Sequence, residues 1–381
     1  KESINKFKKI VVCFDNDKVG NKLNKDVGKL FRGKVFKLSL PPGCKDANDC
    51  LKQNRGKEFT DAFWNPVDIF DSGVLASASK YRKEAKTMPT QGLSWPWQSM
   101  NPVTYGMRLN YLSVWGSGTG VGKTKTTKEV VFHLAYEHNE SVVVIYLEEQ
   151  AVKTVRSFAG NLINKDLTAP PCAKGDPDYS ESRDYTEEEA NKAIDQLCDD
   201  NKIIIGDLKG RKDVESVMKV MEEAVVLGYK YFIIDNLTAF SHNGSDKVNA
   251  IDETMKRLGT FKDENEIFIM LISHLKKVSG DRKPYEEGGR VSIQDFRGAG
   301  SITFWANDIW GINRNTVAEN FNERCLTEFE NLKNRDVGYR AGTKIYASMD
   351  MKTGRLLEGS KPASKKKFNT GVPGTLDTKD F

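Results

Sequence analysis

Apolar runs separated by amphipathic stretches fill most of this chain. From Tyr111 onward the runs SVVVIYL, NKIIIGD, YKYFIIDN, EIFIMLIS, DIWGIN and CLTEFENLK follow one another, with helical patterns between the first four. The runs are continuous rather than alternating, which predicts strands buried on both faces, hence a mostly parallel sheet covered by helices. The opening segment predicts a strand at Ile10 to Phe14, a polar helix through Leu30, a strand at Val35 to Leu40 and then PPGCKDANDCL, ending near Trp64. Residues 65–98 read as a linker with one amphipathic stretch, Val74 to Lys86. Its apolar side is too small to fold alone, so it is expected either to pack as an ordinary surface helix or to dock on a neighbouring subunit. Residues 99–359 form the main domain. Beyond Gly359 the segment KPASKKKFNTGVPGTLDTKDF is too polar to bury a core and is expected to be disordered.

A length of 381 residues leaves room for one large α/β domain plus something smaller, since single cores stop growing near ~250–300 residues. The net charge of +5 is mild, so contact with a polyanion must come from local clusters. Six cysteines occur without a CxxC pair, and no histidine lies at zinc-finger spacing from them. That argues against a zinc ribbon or a disulfide scaffold and for reduced thiols. No apolar stretch of ~20 residues and no secretory signal occur, so a soluble protein without a membrane partner is expected. The chain opens on Lys1 just ahead of a strand, and a further N-terminal piece is expected upstream.

The chemistry starts at WGSGTGVGKTKTT, residues 115–127, set between an apolar strand and a helix-like segment. That order suits a triphosphate: backbone N–H groups cradle phosphates, Lys123 neutralises them and Thr124 holds Mg²⁺. Ser117 stands where the strict pattern has glycine, while Gly118, Gly120 and Gly122 supply the turn. In open α/β sheets ligands sit at the carboxyl ends of strands, so the other strand ends become candidates. YLEEQ puts Glu148 and Glu149 at one, where either carboxylate would polarise an attacking water. FIIDN puts Asp235 at another, suited to the Mg²⁺ shell. FIMLISH puts His274 at a third, poised to sense the γ-phosphate. The long loop that follows carries Lys276, Lys277, Arg282 and Lys283 among Gly and Ser, which suits a phosphate backbone.

With these motifs in order, the chain resembles the fused primase-helicases of the T-seven-like phages and, more distantly, mitochondrial Twinkle and the DnaB-type replicative helicases. GSGTGVGKT, YLEEQ, FIIDN, SHLKK, EEGGRVSIQDFRGAGS, INRN and LKNR carry the resemblance. It implies a RecA-like P-loop core, preceded by the C-terminal part of a TOPRIM fold, in a hexameric ring that moves 5′ to 3′ on single-stranded DNA and unwinds forked DNA with NTP or dNTP and Mg²⁺. It assigns Glu148 as the catalytic carboxylate, Asp235 to the metal shell and His274 to the phosphate sensor. Arg335 matches the arginine finger, Arg314 and Tyr346 the pair that sandwiches the base, and Lys276, Arg282 and Lys283 the DNA-gripping loop, here one residue longer. Asp15, Asp17 and Asp46 match a residual TOPRIM Mg²⁺ site, with no priming expected. The tail, ending in Phe381, is similar to tails that dock on the replicative DNA polymerase, which places the protein in the cytoplasm of an infected host. A RecA-like ATPase that binds DNA without unwinding it is the alternative.

Overall fold

The computed structural model describes residues 2–31, 33–69, 78–177, 179–208, 210, 213–237 and 247–360. The predicted tail from residue 361 lies outside them, as do the first four residues, 74–77, of the proposed docking helix. The chain divides into two units, Lys1–Thr90 and Gln91–Phe381.

The first unit is a three-stranded sheet. β1 (Ile10–Val12) pairs parallel with β2 (Val35–Lys37), and β2 pairs antiparallel with β3 (Val67–Asp68). Helix α1 (Lys18–Leu30) makes the crossover, capped by Asp17, whose carboxylate accepts from the Gly20 amide at 2.8 Å. Helices α2 (Ala47–Lys52) and α3 (Gly56–Trp64) follow, and Asp46 caps α2 through the Asp49 amide at 2.7 Å. Because β3 lies beyond Trp64, this unit runs past the boundary read from composition. In the stretch expected to dock, the described part is a 3₁₀ turn at Ala78–Tyr81 and one α-turn at Arg82–Ala85.

The second unit is built on nine strands: β4 (Tyr111–Ser117), β5 (Val142–Tyr146), β6 (Ile203–Ile205), β7 (Tyr231–Asp235), β8 (Phe268–His274), β9 (Asp308–Asn313), β10 (Leu326–Asn334), β11 (Lys344–Met349) and β12 (Leu356–Glu358). Their spatial order is β12-β11-β10-β9-β4-β8-β7-β5-β6. The six from β9 to β6 are parallel, as the unbroken apolar runs require, and β10 to β12 add an antiparallel meander. Crossover helices are α4 (Lys123–Tyr136), α5 (Ala151–Leu162), α6 (Glu187–Asp200), α7 (Val214–Val226) and α8 (Lys247–Asn265), with the short α9 (Ala299–Trp305) before β9. Burial follows the pattern: β4 and β7 are buried at every position.

Residues 92–97, expected to be linker, belong to this core. Trp95 and Trp97 are fully buried: the Trp97 ring lies 4.5 Å from Phe329 and its Nε1 donates to the Leu356 carbonyl at 3.0 Å, while Trp95 packs 5.5 Å from Trp115. Trp115 in turn stacks on Trp310 across the β4–β9 pair. The aromatic layer ties the entry of the unit to its last strands.

Candidate active site

β4 ends at Ser117 and hands the chain to a tight loop before α4. Gly120 and Gly122 sit at φ +72° and +113°, where a side chain would be strained. Gly118 is needed for a different reason, because a Cβ there would stand 2.5 Å from the Cβ of Tyr285 in the loop that closes over it. Lys123 opens α4, is buried, and donates through Nζ to the Gly118 carbonyl at 3.0 Å. Burial lowers its pKa, opposed by the charges of Asp235, Glu148 and Glu286. The amide groups of this first helical turn and the Lys123 cation form an anion cradle.

Strand register assembles the rest. Ser117 pairs with His274 on β8, and Tyr146 pairs with Asp235 on β7, so the ends of β4, β8, β7 and β5 converge. Thr124 donates through Oγ1 to Asp235 Oδ2 at 3.0 Å. Asp235 is buried, and desolvation pushes its carboxyl up to about 6 against the pull of Thr124 and Lys123. A hydroxyl and a buried carboxylate at this spacing are hard oxygen donors. They fit Mg²⁺, which takes its remaining ligands from phosphates and water.

The two glutamates after β5, indistinguishable in sequence, part company here. Glu149 is held by Lys128 at 2.7 Å and accepts from Thr154 Oγ1 at 2.8 Å. Glu148 remains half exposed, with Oε2 3.6 Å from His274 Nε2. His274 Nε2 also lies 2.9 Å from the Asn236 side-chain amide nitrogen. Burial lowers its pKa, and the nearby Lys123 charge acts in the same direction.

Arg314 directly follows β9 and Tyr346 lies on β11, with β10 between those two strands. The guanidinium of Arg314 lies 3.7 Å from where a Cβ on Gly122 would stand, while Tyr346 is half buried opposite Glu328. Arg335 sits elsewhere. It follows Asn334, which pairs with Asp308, which pairs with Ser113, four residues before the end of β4. At ~3.3 Å per residue it is therefore roughly 13 Å down the sheet from its own phosphate loop. Its backbone N–H donates to the Asn307 carbonyl at 2.8 Å and its guanidinium to the Phe304 carbonyl.

In the basic loop Lys277 and Lys283 are exposed, Lys276 Nζ donates to the Gln294 carbonyl at 3.0 Å, and Arg282 forks onto Asp295 at 2.6 and 2.9 Å. That pairing holds the Asp295 carboxyl down at about 2. Arg282 thus braces the loop, which departs from the expectation that it grips DNA with its full charge.

Two residues at the site were assigned no role from sequence: Tyr285 and Glu286, which press on Gly118 and bear on Lys123. Their signal was present in the EEGG stretch following a loop proline. A backbone bond from Asn16 to the Lys45 carbonyl brings the loops of Asp15, Asp17 and Asp46 together, and Asp17 and Asp46 each use one carboxylate oxygen as a helix cap. Among the described residues no group of three His, Cys, Asp or Glu is gathered as a metal would require.

Comparison with known proteins agrees with this geometry. The DnaB-like helicase C-terminal domain model matches residues 92–346, and a Toprim-like model matches residues 1–51. A DNA helicase/primase of Enterobacteria phage T3 is 25% identical over 388 residues, covering 100% of this chain and 66% of that protein. The chain thus spans just under two thirds of that relative. Among solved structures, an ATPase domain superposes with a TM-score of 0.58 at 15% identity, covering 74% of this chain and 96% of its own. A DnaB-like replicative helicase, described with its interactions with primase, gives 0.59 at 16%, covering 82% and 73%. At these identities the structures establish the RecA-like fold.

Proposed function

The chain belongs to the DnaB-like helicase family, a class of NTP-dependent DNA helicases, and from that premise we propose that it works as a six-membered ring translocating 5′ to 3′ on single-stranded DNA and opening duplex at a fork. The observation that carries the reading is the split placement of the chemistry. The phosphate loop, Glu148, Asp235 and His274 gather at one edge of the sheet, and Arg335 stands at the other. An arginine so placed reaches a phosphate only on a neighbour. Each site is then completed in trans, and hydrolysis weakens one subunit interface at a time.

When bound, Mg²⁺ would supply positive charge against the negative charge that develops on the phosphates. Thr124 and Asp235 would hold it. Lys123 would pair with the β- and γ-phosphates, Glu148 would orient the attacking water, and Arg314 with Tyr346 would flank the base. Lys276, Lys277 and Lys283 would meet the DNA backbone. A polymerase contact through the tail and Phe381 rests on sequence alone, since those residues lie outside the described part. Primer synthesis is not assigned to this chain, whose first unit uses Asp17 and Asp46 as caps.

A forked duplex with a single-stranded tail tests the proposal. The chain with NTP and Mg²⁺ should release the displaced strand, and Lys123→Ala should cut hydrolysis ~10²–10³-fold, the usual loss for a removed charge-stabilising group, and stop release. DNA-stimulated hydrolysis without strand release would favour a DNA-binding ATPase that unwinds nothing.

His274 bridges the phosphate edge and the basic loop, so its proposed role is to report nucleotide state to DNA. His274→Ala should bind nucleotide within about twofold of the parent while losing most of the acceleration of hydrolysis by single-stranded DNA. Full stimulation in that variant would leave His274 a packing residue.

A further inference from the structure

Beside α4 a cavity of 410 Å³ opens between α4, α5 and the β11–β12 hairpin. Four lysines line it: Lys125, Lys128, Lys153 and Lys165. The lining carboxylates, Glu149 and Asp166, are engaged already, Glu149 with Lys128 and Thr154, and Asp166 with the amide and hydroxyl of Thr168 at 3.0 and 2.5 Å. Lys125 also lies 3.5 Å from Glu129, which Arg355 holds at 2.9 Å, so with that pair five cations meet three anions and an excess of two positive charges remains around a space the size of a ligand pocket. Lys128 is buried; desolvation lowers its pKa, the paired Glu149 opposes this, and Lys153 and Lys125 add smaller effects in the lowering direction. The first turn of α4 adds the positive end of its dipole, since Thr124 and Lys125 lie on the wall.

A second, independent feature points the same way. Asn161 on α5 is 5% exposed, lines this cavity, and its Nδ2 has no hydrogen-bond partner among the described residues. Buried amide donors are rarely left unpaired in native interiors, and an acceptor inside the cavity would satisfy this one. Met349 and Met351 supply an apolar wall opposite.

We propose that this cavity is a second anion site, separate from the phosphate loop, that binds a small phosphorylated molecule: an inorganic pyrophosphate or the diphosphate of a nucleotide. Both present the same chemistry, several acceptor oxygens with clustered negative charge, to Lys125, Lys128, Lys153 and the Asn161 amide. The inference goes beyond the helicase reading, yet the two sites touch. Thr124 and Glu149 line the cavity, so a ligand drawing on Lys128 competes with Glu149 for it.

Equilibrium dialysis of the full chain tests this, with excess Mg²⁺ and the phosphate loop saturated by a labelled non-hydrolysable NTP analogue. Added labelled pyrophosphate should bind as one further equivalent per chain, and Lys153→Ala or Asn161→Asp should each weaken it at least ~10-fold while the analogue stays bound. Displacement by a nucleoside diphosphate at equal or lower concentration assigns the site to a nucleotide, and failure to displace assigns it to inorganic phosphates. No further equivalent, or one indifferent to both substitutions, overturns the proposal. Analogue binding is read in the same cell, so failure of the phosphate loop, which would count against the helicase reading, is seen separately.

Discussion

Glu148→Gln is expected to reduce NTP turnover about 10²–10⁴-fold, the range for removing a positioned general base, while Glu149→Gln retains most of it. The two carboxylates are adjacent in sequence and differ only in surroundings. Glu149 has one oxygen, Oε1, held by both Lys128 and Thr154, which fixes its carboxylate beside α4 and α5. Glu148 faces His274 and bears on Lys123, at the phosphate end of the sheet. Glu149→Gln should act on stability instead, leaving the buried Lys128 with a weaker partner at a cost of roughly 1–3 kcal/mol. Steady-state hydrolysis with single-stranded DNA, alongside urea unfolding of each variant, separates the two roles. A turnover loss in Glu149→Gln matching that in Glu148→Gln would sink the assignment.

Much of this site was legible in the sequence because buried parallel strands advertise themselves. FIIDN and FIMLISH are apolar runs that end in polar pairs, Asp235–Asn236 and Ser273–His274, so Asp235 and His274 could be placed at strand ends before any coordinates. What the pattern withheld were partners distant in sequence. The strap carrying Trp95 and Trp97 reads as linker because Gly92 and Pro96 interrupt it, and its ring partner Phe329 lies more than two hundred residues on. The last strands, KIYASM and LLE, are short and mixed, and they are held in place by pairing with β10 and with each other.

The same limit applies to the acidic and basic residues whose partners only the fold shows. An aspartate ahead of a helix fits a cap and a metal ligand equally well by type and spacing, and Asp17 and Asp46 proved to be caps. Arg282 was counted with its lysine neighbours because its counter-ion, Asp295, lies across the loop in a stretch read for its glycines. Charge in sequence is additive. In the folded loop one cation is neutralised and the others are left to meet solvent or nucleic acid.

Arg335→Ala is expected to cost about 10³–10⁵-fold in turnover, the range for arginine fingers, with nucleotide binding and folding retained. The reason is geometric: the guanidinium projects from the start of β9 and the end of β10, while its own phosphate loop lies beyond the far end of β4. No side-chain rotation spans that separation, because an extended arginine reaches only ~7 Å from its Cα, about half of the roughly 13 Å set by the strand register. If the finger serves a neighbour, two inactive chains should repair each other. In rings mixed from Arg335→Ala and Lys123→Ala chains, some interfaces join an intact loop to an intact finger, and hydrolysis should rise above that of either variant alone, to a maximum near equal mixing. The rise requires mixed rings, which subunit-mass analysis of the same samples verifies. Mixed rings without recovery at any ratio would mean that Arg335 does not complete a neighbouring site, and the split placement of the chemistry would then need another reason.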